Sequence, residues 1–131
     1  MDYNDFLQTK QTAVQPSGFT IDESELNGML FPFQKYCVRR ALAAGRFAMF
    51  EDCGLGKTIQ QLEWAYRVML HTSRPVLVLA PLGVIGQTIA EGAKFGYAVE
   101  EIGLTAFDQD LAPGIYITNY DNMGSIDAGL F

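Results

Sequence analysis

The chain has 131 residues, 49% hydrophobic and 18% charged, which suits one domain with a buried core and excludes disorder over most of its length. A net charge of −6 argues against bulk attraction to nucleic acid, no apolar run approaches a membrane span, and the acidic start Met1-Asp2-Tyr3-Asn4-Asp5 is the opposite of a signal peptide. Cys37 and Cys53 are too few and too far apart for a disulfide scaffold or a zinc site, and they read as reduced thiols of a cytosolic protein.

Residues 1–30 lack sustained periodicity and carry Pro16-Ser17-Gly18, which predicts an irregular leader with a short helix at its start. Asp22-Glu23-Ser24-Glu25 sits on no apolar strand and reads as a solvated loop or helix start, not an acidic catalytic box. Residues 31–131 read as one domain. Good helix formers dominate from Phe33 to Ala44, and Gly45 supplies a stop. Arg46 to Phe50 reads as the first core strand. Thr58 to His71 follows as a helix whose Ile59, Leu62, Tyr66 and Met69 mark an apolar face. His71, the only histidine, falls at the helix end, where it favours the dipole if protonated. No catalytic role is assigned to it.

Pro75-Val76-Leu77-Val78-Leu79-Ala80-Pro81 has the pattern of a strand buried on both faces. Gly83 to Phe95 reads as a helix, Tyr97 to Ile102 as an edge strand, and Pro113-Gly114 as a turn before a further strand, Ile115 to Thr118. This alternation predicts an α/β fold, a parallel sheet with helices on both faces. Ligands of such sheets bind at the carboxyl ends of the strands.

The chemistry concentrates in Glu51-Asp52-Cys53-Gly54-Leu55-Gly56-Lys57-Thr58, a glycine-punctuated turn that opens a helix. Gly54 and Gly56 can take positive φ, so that successive N–H groups curl around phosphate oxygens. Lys57 adds a point charge for the β- and γ-phosphates, and Thr58 offers a hydroxyl to Mg²⁺. The helix dipole aims at the same place. Glu51 stands where the strict phosphate-loop pattern has its first glycine, and Glu51 and Asp52 fit an anion site only if they point away or face a cation. Cys53 reads as a small loop filler.

Charge is unevenly spread. Residues 1–30 carry one lysine against five acids, residues 31–75 seven basic residues against three acids, and residues 76–131 one lysine against seven acids. The positive block coincides with the loop, as expected if Lys35, Arg39, Arg40 and Arg46 surround an anion.

Three more segments accompany the loop in order: Phe31-Pro32-Phe33-Gln34, then Val78 to Ile85 continuing to Glu91-Gly92-Ala93-Lys94-Phe95, and Ile117-Thr118-Asn119-Tyr120-Asp121. Over residues 30–122 the set resembles the first RecA-like lobe of superfamily 2 helicases, in the Swi/Snf-like branch with its bacteriophage relatives. That branch often opens its nucleotide loop with an acidic pair and lacks the first glycine. The resemblance implies a P-loop NTPase fold, incomplete here, in the cytoplasm of a bacterial or phage-infected cell. It implies ATP and Mg²⁺ as cofactors, with Gln34 reading adenine through its amide and Phe31 or Phe33 walling the ring. Gly54, Leu55, Gly56, Lys57 and Thr58 would hold the phosphates. Pro81, Leu82 and Gly83, with Thr118 and Asn119, would touch a nucleic-acid backbone. Thr88 and Gly83 stand where the family often has tryptophan and serine.

The resemblance also implies what turnover needs: an Asp-Glu box on the next core strand and a second RecA-like lobe with an arginine finger. Neither has a counterpart after Tyr120. The chain is therefore expected to bind ATP without hydrolysing it alone, and to bind duplex DNA weakly. Two other readings stay open, a non-catalytic nucleotide- or DNA-binding module and a small P-loop kinase.

Overall fold

Two apolar runs, Val76–Ala80 (β1) and Ile115–Asn119 (β3), lie side by side in parallel, with Val76 opposite Ile115 and Ala80 opposite Asn119. A shorter strand, Val99–Glu101 (β2), pairs with the other side of β3, giving a three-stranded parallel sheet in the order β1-β3-β2. The computed structural model describes residues 2–10, 15–52, 54–103 and 110–131. Among these residues the α-helices are Tyr3–Lys10 (α1), Pro32–Ala44 (α2), Lys57–Thr72 (α3) and Leu82–Lys94 (α4), with short 3₁₀ turns at Glu23–Glu25, Tyr120–Ser125 and Ala128–Leu130. None is long and apolar enough to cross a membrane.

Local chemistry explains where the helices begin and end. Pro32 opens α2 with its φ already helical, and Gln34 folds its side-chain carbonyl back to accept the Phe31 N–H at 2.9 Å. Gly45 ends α2 at φ 81°. The helix start α3 follows Gly56 in the left-handed region, and Ser73 closes α3 by donating its N–H to Met69 at 2.9 Å. Asp22 caps its 3₁₀ turn by accepting from Ser24, and both stay exposed, which is the solvated helix start read from the sequence. The two hydrogen bonds from Ser24 hold the Asp22 carboxyl below its usual range.

The apolar stripe Ile59, Leu62 and Ala65 of α3 packs, with Ile85 of α4, on Val76, Val78, Ile115 and Ile117. Both helices therefore cover the same face of the sheet, and α2 packs outside them on α3. The opposite face, carrying Leu77 and Tyr116, is closed by Leu111, Ile126 and Phe131. This corrects the expectation of helices on both faces. The second face is apolar, as β1 predicted, but among the described residues its cover is a segment of 3₁₀ turns and extended chain.

Arg46–Phe50 is a second correction, because no strand forms there. Strand composition needs a neighbour to ladder with, and β1 pairs only with β3. Phe47 and Met49 border a pocket with Ala41, Gln61 and Trp64, while Phe50 is 96% exposed. Residues 15–30 of the leader hold a 3₁₀ turn but no α-helix or strand, yet Phe19, Ile21, Leu26 and Leu30 join the main core. Phe19 stacks on His71 with ring centroids 3.8 Å apart, which gives the histidine a packing role.

A polar knot ties the leader to α3. Glu63 is fully buried, a position that an ionised group tolerates only when paired. Its carboxylate accepts from the Tyr97 hydroxyl, from Arg67 Nε at 2.8 Å and from the Asn27 N–H at 3.1 Å. Asn27 Nδ2 in turn donates to Tyr97 and to the Phe95 carbonyl, and Arg67 also reaches the Glu25 carbonyl. Burial, then the hydrogen bond to Glu63, holds the Tyr97 hydroxyl well above the ordinary tyrosine range.

Tyr97→Phe removes one donor to a buried carboxylate and should cost about 1–3 kcal/mol at neutral pH. A raised folded value means that the Tyr97 contribution is complete below the unfolded value of about 10 and is lost as pH rises above it. Urea unfolding between neutral pH and pH ~11 should therefore show the parent's advantage over Tyr97→Phe shrinking. An advantage that stays constant or grows would contradict the knot.

Candidate functional site

Gln34 and Leu55 lie 21 residues apart in sequence and meet through one hydrogen bond, Gln34 Nε2 donating to the Leu55 carbonyl at 2.9 Å. With its Oε1 on the Phe31 N–H, the Gln34 amide bridges the start of α2 and the glycine loop while only 5% exposed. Gly56 shows why the approach is so close. Its φ is 74°, and a Cβ there would stand 2.3 Å from Gln34 Nε2. Gly54 has φ 83° with open space around it, so conformation alone requires glycine at that position.

Around this bridge lies a cleft of about 390 Å³. Gly54, Leu55 and Gly56 form its floor, and Met29, Phe31, Phe33, Ile59 and Phe95 supply apolar walls. The rings of Phe31 and Phe33 lie nearly parallel, with centroids 6.3 Å apart. Among the described residues, the polar side chains on its wall are Gln34 and Glu91. Lys57 and Thr58 stand in the first turn of α3 beside it, Lys57 exposed and Thr58 half-buried. No described side chain caps that helix start, which leaves its first N–H groups without an intrahelical partner.

The acidic pair divides. Glu51 is half-buried, its carboxylate accepting from Gln60 Nε2 at 2.9 Å and lying against Cys37, whose thiol is pushed up first by burial and then by Glu51. Its backbone carbonyl accepts from Lys57 Nζ at 3.0 Å. Asp52 is exposed. Gln60 is fully buried beneath the loop, its amide also donating to Leu55 at 3.2 Å, and its Oε1 has no partner. Cys53 lies outside the described residues.

Pro81, Leu82 and Gly83 are exposed at the start of α4, immediately after β1. The register of Ala80 with Asn119 brings this segment and the end of β3 to the same carboxyl edge of the sheet. Thr118 is 1% exposed and its hydroxyl accepts from Asn122 Nδ2 at 2.8 Å, so it is used within the fold. Asn119 is half-buried and caps the following 3₁₀ turn through Oδ1. Thr88 is buried and donates to the Val84 carbonyl.

The arginines of α2 do not surround the loop. Arg39 donates to the Ile21 carbonyl and Arg40 to the Tyr36 hydroxyl, and both border a separate pocket of about 240 Å³ with Thr20. Helical periodicity places them away from Gln34, and Arg39 tethers the leader instead. Sequence reasoning missed Gln60 and Glu91. Gln60 carried a local signal, a polar residue one turn beyond the loop beside the apolar Ile59 and Leu62, whereas the place of Glu91 depends on packing between distant elements. Comparison with family models, with curated proteins and with solved structures finds no match to this chain.

Gly54→Ala should cost about 1–2 kcal/mol through its left-handed backbone alone. Gly56→Ala bears the same strain and also displaces the Gln34 amide, adding roughly 1 kcal/mol. Equilibrium unfolding in urea should rank Gly56→Ala as the less stable. Equal costs would mean that the bridge contributes nothing.

Proposed function

We propose that this chain binds ATP with Mg²⁺ at the Gly54–Thr58 loop, as the ATP-binding part of a superfamily 2 DNA-dependent ATPase, a helicase or translocase. The observation that carries the reading is the contact between Gln34 and the glycine loop. It joins the residue expected at the base to the residues expected at the phosphates, along one cleft with aromatic walls.

The donor set suits a triphosphate. Two glycines with positive φ leave the loop N–H groups free to curve, the start of α3 adds uncapped N–H groups, and exposed Lys57 adds a full charge. The Glu51 carboxylate is held by the Gln60 amide, and Mg²⁺ and Lys57 would offset its charge beside a bound triphosphate. When bound, Mg²⁺ would neutralise phosphate charge, and Thr58 would offer it a hydroxyl. Gln34 retains one amide hydrogen and one lone pair beyond its two internal bonds, enough for a base edge.

Binding is the part of the chemistry these residues supply. Asp121 is exposed in a 3₁₀ turn, and Asp127 caps the next turn by accepting from Gly129. Neither lines the cleft. Arg46–Phe50 without a ladder partner and the free edge of β1 leave room for one further strand, the element expected to carry an Asp-Glu box. Duplex DNA would meet the carboxyl edge formed by Pro81–Gly83 and Asn119. Its binding should be weak and salt-dependent, because few contacts are offered and residues 76–131 are strongly acidic.

Mg-ATP at about a hundred times its dissociation constant stabilises the folded state by roughly 2.7 kcal/mol. The parent should therefore show a thermal shift that Lys57→Ala abolishes without unfolding the chain. The same shift in both proteins would overturn the loop assignment. Phosphate release should stay at the no-enzyme level with or without duplex DNA. DNA-stimulated turnover by the 131 residues would show that the site is complete.

A further inference from the structure

Glu91 is the polar group of the cleft whose function nothing above explains. It projects from α4, half-buried, on the wall shared with Phe95 and Ile59. Among the described residues its carboxylate makes no hydrogen bond and no ion pair. An ionised carboxylate only accepts hydrogen bonds, and beside phenyl and aliphatic walls it loses hydration that only N–H or O–H donors replace. Gln34, the other polar side chain on the wall, bonds Phe31 and Leu55 and gives Glu91 no hydrogen bond.

The groups at the cleft therefore differ in sign. Lys57 stands beside the glycine loop with its ammonium, whereas α4 contributes a carboxylate to the lining. A phosphate beside Glu91 would meet like charge in a partly dry site. A ligand with an anionic end and a donor-bearing end is held in one orientation. Resting on the nucleotide reading above, we propose that Glu91 is a specificity-determining residue that accepts hydrogen bonds from the nucleoside part of the ligand. The donors are its ribose hydroxyls or its exocyclic amino group. Such a residue rejects a ligand lacking the donor because the carboxylate is then left without a partner.

The test compares binding of Mg-ATP, Mg-2′-deoxy-ATP and Mg-inosine triphosphate to the parent, Glu91→Gln and Glu91→Ala. The first analogue lacks a ribose hydroxyl and the second lacks the exocyclic amine. The parent should prefer ATP over one analogue by about tenfold, the discrimination of one hydrogen bond to a charged group. Both variants should reduce that preference to about twofold or less, and the analogue affected identifies the donor. Ratios measured on one preparation are independent of the fraction folded. Inorganic tripolyphosphate, competing at the loop alone, should bind the variants at least as well as the parent. Unchanged ratios in both variants, with the parent still binding ATP, would overturn this inference and leave the nucleotide reading intact. No binding of ATP by the parent would overturn both.

Discussion

The architecture around the cleft depends on one side-chain amide. Gln34 accepts from Phe31 at the start of α2 and donates to Leu55 in the glycine loop, so a helix terminus and a turn are held in register. A loop with two left-handed glycines has high conformational entropy in isolation. Anchoring its central carbonyl from two sides, by Gln34 and by Gln60, restricts it before any ligand arrives. Preorganisation of this kind lowers the ordering cost of binding.

A second layer supports the first. Gln60, Glu63 and Arg67 form a polar stripe along α3, adjacent to the apolar stripe that faces the sheet. Gln60 holds the Glu51 carboxylate and the loop. Glu63 holds Tyr97, Arg67 and Asn27. The stripe links the loop to the corner after α4 and to the leader, so residues 19–30 belong to the same packed unit as the site. A buried network is rigid only when every member is satisfied, and Gln60 Oε1 is its one open acceptor among the described residues.

The parts legible from sequence were those with local causes. Helix formers and the stop at Gly45 mark α2, apolar periodicity marks α3, and the proline-flanked apolar run becomes β1. The glycines of the loop were legible because their backbone demand is local, and both have positive φ. Arg46–Phe50 misled because composition reports suitability for a sheet, not the presence of a neighbour. The second sheet face misled for a related reason. Apolar residues on both sides of β1 require a cover, and Leu111, Ile126 and Phe131 supply it without an α-helix. The meeting of Gln34 with Leu55 is a tertiary contact without a local signal: the family resemblance gave both residues to one nucleotide site and counted Glu91–Phe95 among its segments, but it stated no contact between the two and no role for Glu91.

The central claim is that the cleft between Gln34 and the glycine loop is where a nucleotide sits. Amide-resolved NMR of the isotope-labelled chain, titrated with Mg-ATP, tests it most directly. The account predicts saturable shifts at the Gln34 side-chain amide and at the backbone amides of Gly54, Leu55, Gly56 and Lys57, with little change around Arg39 and Arg40. Shifts confined to the Arg39–Arg40 pocket, or none at the loop at saturating nucleotide, would contradict it.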